Sequence, residues 1–201
     1  MNTSNVNPGI KHFLMQFIMI SSLCLFSWLA MMLVHEVGHV LGAILTGGQV
    51  HEVAWHPTVF SHTDVHPNPS PKLVVWAGPV VGVVIPLLIL LIHRWIDKAT
   101  MYLAVFFAGF CLLANGLYIG IGWVDQIGDT AVMQQHGTPV SVMITFGLLC
   151  TPAGLYLWHR VSCKVGLAKT SQCTIHRKHA WIMATLASLI TIIALVFGNA
   201  G

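Results

Sequence analysis

The stretch FLMQFIMISSLCLFSWLAMMLVHEVGHVLGAIL, Phe13 to Leu45, decides how this chain is read, because an uninterrupted apolar run carries three ionisable residues near its end. As one helix at ~1.5 Å per residue it would be about 50 Å long. That exceeds the ~30 Å hydrocarbon core of a bilayer, so a spanning helix here must tilt, kink or project. No turn signal interrupts it. The run is far longer than the roughly 7 to 15 residues of a signal-peptide core and has no clear small-residue cleavage site, so a retained helix is expected.

The rest of the chain agrees. Of 201 residues, 56% are apolar and only 7% charged, with mean hydropathy +0.78. A soluble domain carries about a quarter charged residues, so this composition excludes an ordinary soluble domain, a disordered chain and a nucleic-acid binder. Four further apolar runs are long enough to span, Leu73 to Ile92, Met101 to Ile121, Val140 to Trp158 and Ala180 to Phe197. With no repeat and no linker composition, the expectation is an all-α polytopic membrane protein forming one domain over residues 1–201, with about five transmembrane helices. After the first of them, QVHEVAWHPTVF (Gln49 to Phe60) alternates weakly and precedes the turn-rich HPNPSP segment. That pattern predicts a short strand or hairpin lying against the helices or at the interface, since lipid cannot satisfy a strand edge.

Five spans put the N-terminus and the segments Ile92 to Thr100 and His159 to His179 on one side, and eight of the nine basic residues lie there, Lys72 being the exception. Basic segments stay in the cytosol, so a cytoplasmic N-terminus is expected, with Gly47 to Lys72 and Ile121 to Pro139 facing outward. The basic stretch from Arg160 to Lys178 could also meet anionic lipid headgroups. Five cysteines are an odd number and suggest no disulfide framework. Cys24, Cys111 and Cys150 read as small buried hydrophobes, and Cys163 and Cys173 as loop thiols rather than as a metal site with His176.

The ionisable residues near the end of the first run are His35-Glu36-Val37-Gly38-His39, an HExxH sequence. On a helix, positions i and i+4 project from one face, so two imidazoles can share one metal while the intervening carboxylate serves as general base to a water there. At this chain's composition the motif arises by chance with a probability of about 0.007. A carboxylate near the bilayer centre costs about 2.5 kcal/mol or more, so an ionisable cluster of three inside a span points to a site rather than to residues that merely reach for the interface.

A third ligand must come from the six acidic residues. Asp97 lies among basic residues on the opposite side, whereas Asp125 and Asp129 precede the fourth span from the same side as the histidines. Asp129, after Gly128, is the preferred ligand, with capping of a helix as its competing role, and Asp125 one turn earlier is the runner-up. His51, His56, His62 and His66 invite a second metal or a gating role, with hydrated loop residues the plainer reading. His136 could serve substrate near Asp129.

Together these residues resemble the site-2 protease class of intramembrane zinc metalloproteases, the M50 peptidases. HEVGH matches the zinc motif, Ala77-Gly78-Pro79 resembles the family's AGP segment, and Gly128-Asp129 resembles its distal aspartate, all in the family's order between His35 and Leu149. Two positions depart from the pattern: Thr130 follows Asp129 where the family often has Gly, and no Pro stands three residues after Asn115. Family members are thought to hold zinc nearer the cytosolic face, opposite to the charge count here.

The resemblance implies one Zn2+ per chain on His35, His39 and Asp129, Glu36 as general base, and Asn115 toward substrate backbone or oxyanion. The substrate would be a transmembrane protein cut within or beside its spanning helix, inside the lipid bilayer. Val53 and Trp55, in the extended segment, could pair with the unwound substrate by strand addition. A homo-oligomer, in which a second chain completes the path to the site, stays open. A metal transporter or sensor and a non-cleaving protease-like scaffold are the competing functions.

Overall fold

A computed structural model describes residues 8–168 and 175–199. In chain order the elements are α1 (Pro8–Thr46), β1 (Val50–Ala54), β2 (His62–Val65), α2 (Pro71–Ile96), α3 (Met101–Gly122), α4 (Asp129–Gln135), α5 (Val140–Val165) and α6 (Arg177–Phe197). Among the described residues five helices, all but α4, are long and apolar enough to cross a membrane. The chain is an all-α multi-pass membrane protein with one small hairpin after its first helix. Each helix runs past its apolar run, α5 to Val165 rather than Trp158 and α2 to Ile96 rather than Ile92. Helical hydrogen bonding continues into the polar interface after the apolar residues stop.

The 39-residue α1 is the central element. It packs against α2 and α6 and touches α3, while α3 packs along α5. Between helices already in lipid there is little hydrophobic drive, and close approach through small residues supplies van der Waals contact instead. A Cβ on Gly38 would lie 2.5 Å from the Ala77 carbonyl oxygen and one on Gly42 2.7 Å from the Ala77 Cβ, so α1 rests directly on α2. Across the α3–α5 seam Gly120 and Gly147 meet backbone to backbone. Away from these seams Ile44, Leu88, Leu148, Leu149 and Val196 are exposed, a surface suited to acyl chains.

The hairpin is antiparallel, with Val50 opposite Val65, Glu52 opposite Asp64, Val53 opposite Thr63 and Ala54 opposite His62. The expected strand from Gln49 to Phe60 is thus only half strand, and Pro57, which lacks an N–H for a ladder, lies in the turn that follows. As expected, the hairpin lies on helices. Val65 packs with Ala43 and Val74, and Trp55 with Leu29, Met32 and Ala194. The end of α6 holds it from the other side: the Trp55 N–H donates to the Gly198 carbonyl at 2.7 Å, and Asn199 Nδ2 donates to Glu52 Oε1 at 3.1 Å.

Cys111 and Cys150 are buried and Cys24 partly so, as small apolar residues in helix seams would be. Cys163, in the last turns of α5, is disulfide-bonded, which corrects its reading as a loop thiol or metal ligand. Cys173 lies outside the described residues.

Candidate metal centre

His35, Glu36 and His39 stand on α1 two to three turns before its end, and all three are buried, with 7%, 1% and 6% exposure. The helical repeat turns both imidazoles toward α2 and α3, and α2 has no side chain where they arrive. A Cβ on Gly78 would collide with the rings of His39 and His35. Gly82, one turn on, leaves the same room for the Asn115 amide, which a Cβ would approach to 2.9 Å. The small residues of Ala77-Gly78-Pro79 and the following turn form the bed on which the imidazoles lie.

Each imidazole is oriented through its Nδ1. His39 Nδ1 lies 2.9 Å from the Val74 carbonyl oxygen, an acceptor only, so Nδ1 carries the proton and donates. His35 Nδ1 lies 2.7 Å from Asn115 Oδ1, and because Asn115 Nδ2 donates to the Cys111 carbonyl at 2.9 Å, the amide presents its oxygen to His35. Both Nε2 atoms of neutral imidazoles therefore offer lone pairs. They converge on Asp129 Oδ2, at 2.8 Å from His35 and 3.3 Å from His39.

Asp129 is delivered by α4, which is pinned to its neighbours. Thr130 Oγ1 donates to the Gly122 and Ile127 carbonyls at 2.8 Å, and Gln134 Nε2 to the Trp123 carbonyl at 2.9 Å. The N-cap is Gly128, at φ 57, and Asp129 is the first helical residue. Its carboxylate is directed at the histidines and does not cap, so the competing role is set aside. The orphan N–H of Asp129 donates instead to the Tyr118 hydroxyl at 2.9 Å.

Two imidazole Nε2 atoms and a carboxylate oxygen that converge in this way form a candidate site for a cation, which would take the place of the proton they share. The donor set, two imidazoles and a carboxylate, suits zinc, and the orientation of both rings by acceptors at Nδ1 is the usual outer shell of such a centre. Glu36 also offers a ligand atom within 4.8 Å of those of the two histidines. Its Oε2 accepts a hydrogen bond from Thr63 Oγ1 at 2.7 Å, which orients the carboxylate.

A cavity of about 260 Å³ opens at the centre, lined by Trp28, Met31 and Met32 of α1, Ala114, Asn115 and Tyr118 of α3, and Val59 to Ser61 after β1, with His35, Glu36 and Asp129 at its floor. The expected residues His35, Glu36, His39 and Asp129 are thus brought together. Asn115 lines the cavity, but its amide is engaged by His35 and Cys111. Val53 and Trp55 are outside the lining and pack on α1 and α6 instead; the chain that faces the cavity is five residues further on. Asp125 is exposed and apart from the site, and His136 is the exposed C-cap of α4.

The loop histidines take local partners: His51 the His66 carbonyl at 2.6 Å, His56 the Thr58 hydroxyl at 2.8 Å and His62 the Phe60 carbonyl at 3.2 Å. Among the described residues they form no second metal cluster. Thr63 and Tyr118 are the residues that sequence reading missed. Tyr118 was within reach of it, one helical turn after Asn115 on the same face of α3. Comparison with protein-family models, curated proteins and solved structures finds no match to this chain.

Proposed function

We propose that this protein is an intramembrane zinc metalloprotease, hydrolysing a peptide bond in or next to the transmembrane segment of another membrane protein. The observation that carries the reading is the convergence of His35 Nε2, His39 Nε2 and Asp129 Oδ2 at a cavity, beside the buried Glu36 carboxylate that Thr63 holds. Zinc in that position would acidify a water and polarise the scissile carbonyl.

Glu36, held by Thr63, would take the proton of the attacking water. It would return that proton to the leaving nitrogen as the C–N bond breaks. The apolar lining residues, Trp28, Met31 and Phe60 among them, suit a segment drawn from lipid. A helical substrate hides its peptide bonds, so it must unwind to enter. Backbone groups near Phe60 and Ser61 are the candidates to pair with it, in place of Val53 and Trp55.

Orientation rests on two opposing signals. The basic segments favour a cytoplasmic N-terminus and an outward site. The disulfide at Cys163, on the opposite side from the site, belongs to an oxidising compartment and favours the reverse, which is also the orientation implied by the family resemblance. Membrane-impermeant labelling of a cysteine introduced at Asp125 distinguishes them.

The test of function is reconstitution in liposomes with zinc and a library of single-span peptides, comparing the native chain with Glu36→Gln. New N-termini produced by the native chain and absent with Glu36→Gln, at equal zinc content, support the assignment. Equal cleavage by both would falsify it. Zinc crossing the bilayer without any peptide product would make the protein a transporter.

A further inference from the structure

We infer that Tyr118 is a catalytic residue, its phenolic hydroxyl donating a hydrogen bond to the oxygen of the scissile carbonyl as negative charge gathers there; this rests on the proteolytic reading above. Addition of water to a peptide carbonyl forms a C–O bond, moves the π pair onto the carbonyl oxygen and passes a proton to Glu36. Nothing in that step neutralises the new oxyanion except a cation and whatever donors face it, and preorganised donors are worth factors of about 100 to 1,000 in rate.

The polar groups around the cavity are mostly unable to help. Glu36 and Asp129 only accept. The Nδ1–H of His35 is directed at Asn115, and one of the two N–H groups of the Asn115 amide at Cys111. Beside the second N–H of Asn115, whose amide is fixed through its oxygen and its other hydrogen, the lining holds three side-chain donors, Trp28, Ser61 and Tyr118. Trp28 stands seven residues before His35, about 10 Å back along α1. Ser61 belongs to the segment before β2 and touches no ligand residue through any hydrogen bond in the described structure.

Tyr118 is against the centre. Its ring meets the His35 imidazole edge to face at 6.1 Å, and its oxygen accepts the Asp129 N–H at 2.9 Å. An oxygen that accepts a hydrogen bond keeps its own proton for another partner. Among the described residues that proton has no acceptor, and Tyr118 is one of the residues that line the cavity. Phe60 also contacts the ring, with centroids 6.1 Å apart. With the Asn115 amide occupied by His35, Tyr118 supplies the donor. It keeps its proton throughout, so atoms and charge balance between water, Glu36 and the leaving amine.

The experiment compares the native chain, Tyr118→Phe and Asp129→Ala for zinc content, cleavage kinetics and calorimetric affinity for a phosphinic peptide, whose tetrahedral anion mimics the oxyanion. Tyr118→Phe keeps both ring contacts. The expected result is about one zinc per chain, KM little changed, kcat lower by about 100-fold or more, and clearly weaker phosphinic-peptide binding. Zinc loss matching that of Asp129→Ala would mean that the phenol acts only by holding the ligand, and would overturn the inference. So would unchanged kcat, or a change confined to KM. A native chain that holds zinc but cleaves nothing removes the proteolytic reading itself, an outcome separable from native cleavage that Tyr118→Phe leaves intact.

Discussion

The Asp129 carboxylate stands 2.8 Å from Nε2 of His35, although 94 positions separate the two residues along the chain. Their meeting depends on α4, a helix of 7 residues whose first N–H is capped by Tyr118 and whose Thr130 is tied to the end of α3.

If that carboxylate completes the cation site, Asp129→Ala should reduce zinc from about one per detergent-purified chain to a small fraction. Asp125→Ala, at an exposed position, should leave it unchanged. Elemental analysis after gel filtration reads both. Equal zinc in all three proteins would remove Asp129 from the ligand set.

Asn115 acts one bond further out, by holding the Nδ1 proton of His35. Replacing it with Leu, which keeps the volume and removes the acceptor, should weaken zinc binding about 10- to 100-fold while the helices stay packed. Titration against a chelator of known affinity measures the loss, and Asn115→Asp, which retains an acceptor, should restore most of it.

At Gly78 the constraint is space. A methyl group there meets the rings of both histidines, so Gly78→Ala must move an imidazole or part α1 from α2. Overpacking of this kind costs about 1–3 kcal/mol. The expectation is a lower thermal midpoint in detergent together with zinc loss; a variant that retains both would show that the helices yield without strain.

The hydroxyl of Thr63 is the hairpin's hold on Glu36, the proposed general base, at 2.7 Å. A hydrogen bond to a charged group contributes about 1.5–3 kcal/mol, so Thr63→Val should slow cleavage about tenfold or more at unchanged zinc content. Steady-state kinetics on the peptide that the native chain cuts would read it.

Trp55 separates packing from recognition. It is 8% exposed and wedged among Leu29, Met32 and Ala194, so Trp55→Ala should destabilise the fold by about 3–5 kcal/mol. A change in KM with unchanged thermal stability would return Trp55 to the substrate path.

The primary structure determined the membrane class, the number of spans, the hairpin after the first helix and the HExxH face, because each follows from local periodicity and from what lipid tolerates. His35 and His39 share a face through the helical repeat alone, whatever the remainder of the chain does. Local order could not rank Asp129 over Asp125 by chemistry. The two are one turn apart with the same side chain, and the choice was made by the hydrogen bonds that pin α4 and expose Asp125. Nor could it assign Asn115 to His35, Thr63 to Glu36 or Trp55 to the core. Those pairings join residues 80, 27 and about 140 positions apart, and only the close approach of α1, α2 and α3 across their glycines, with the hairpin held by the end of α6, brings such groups within hydrogen-bonding or packing distance.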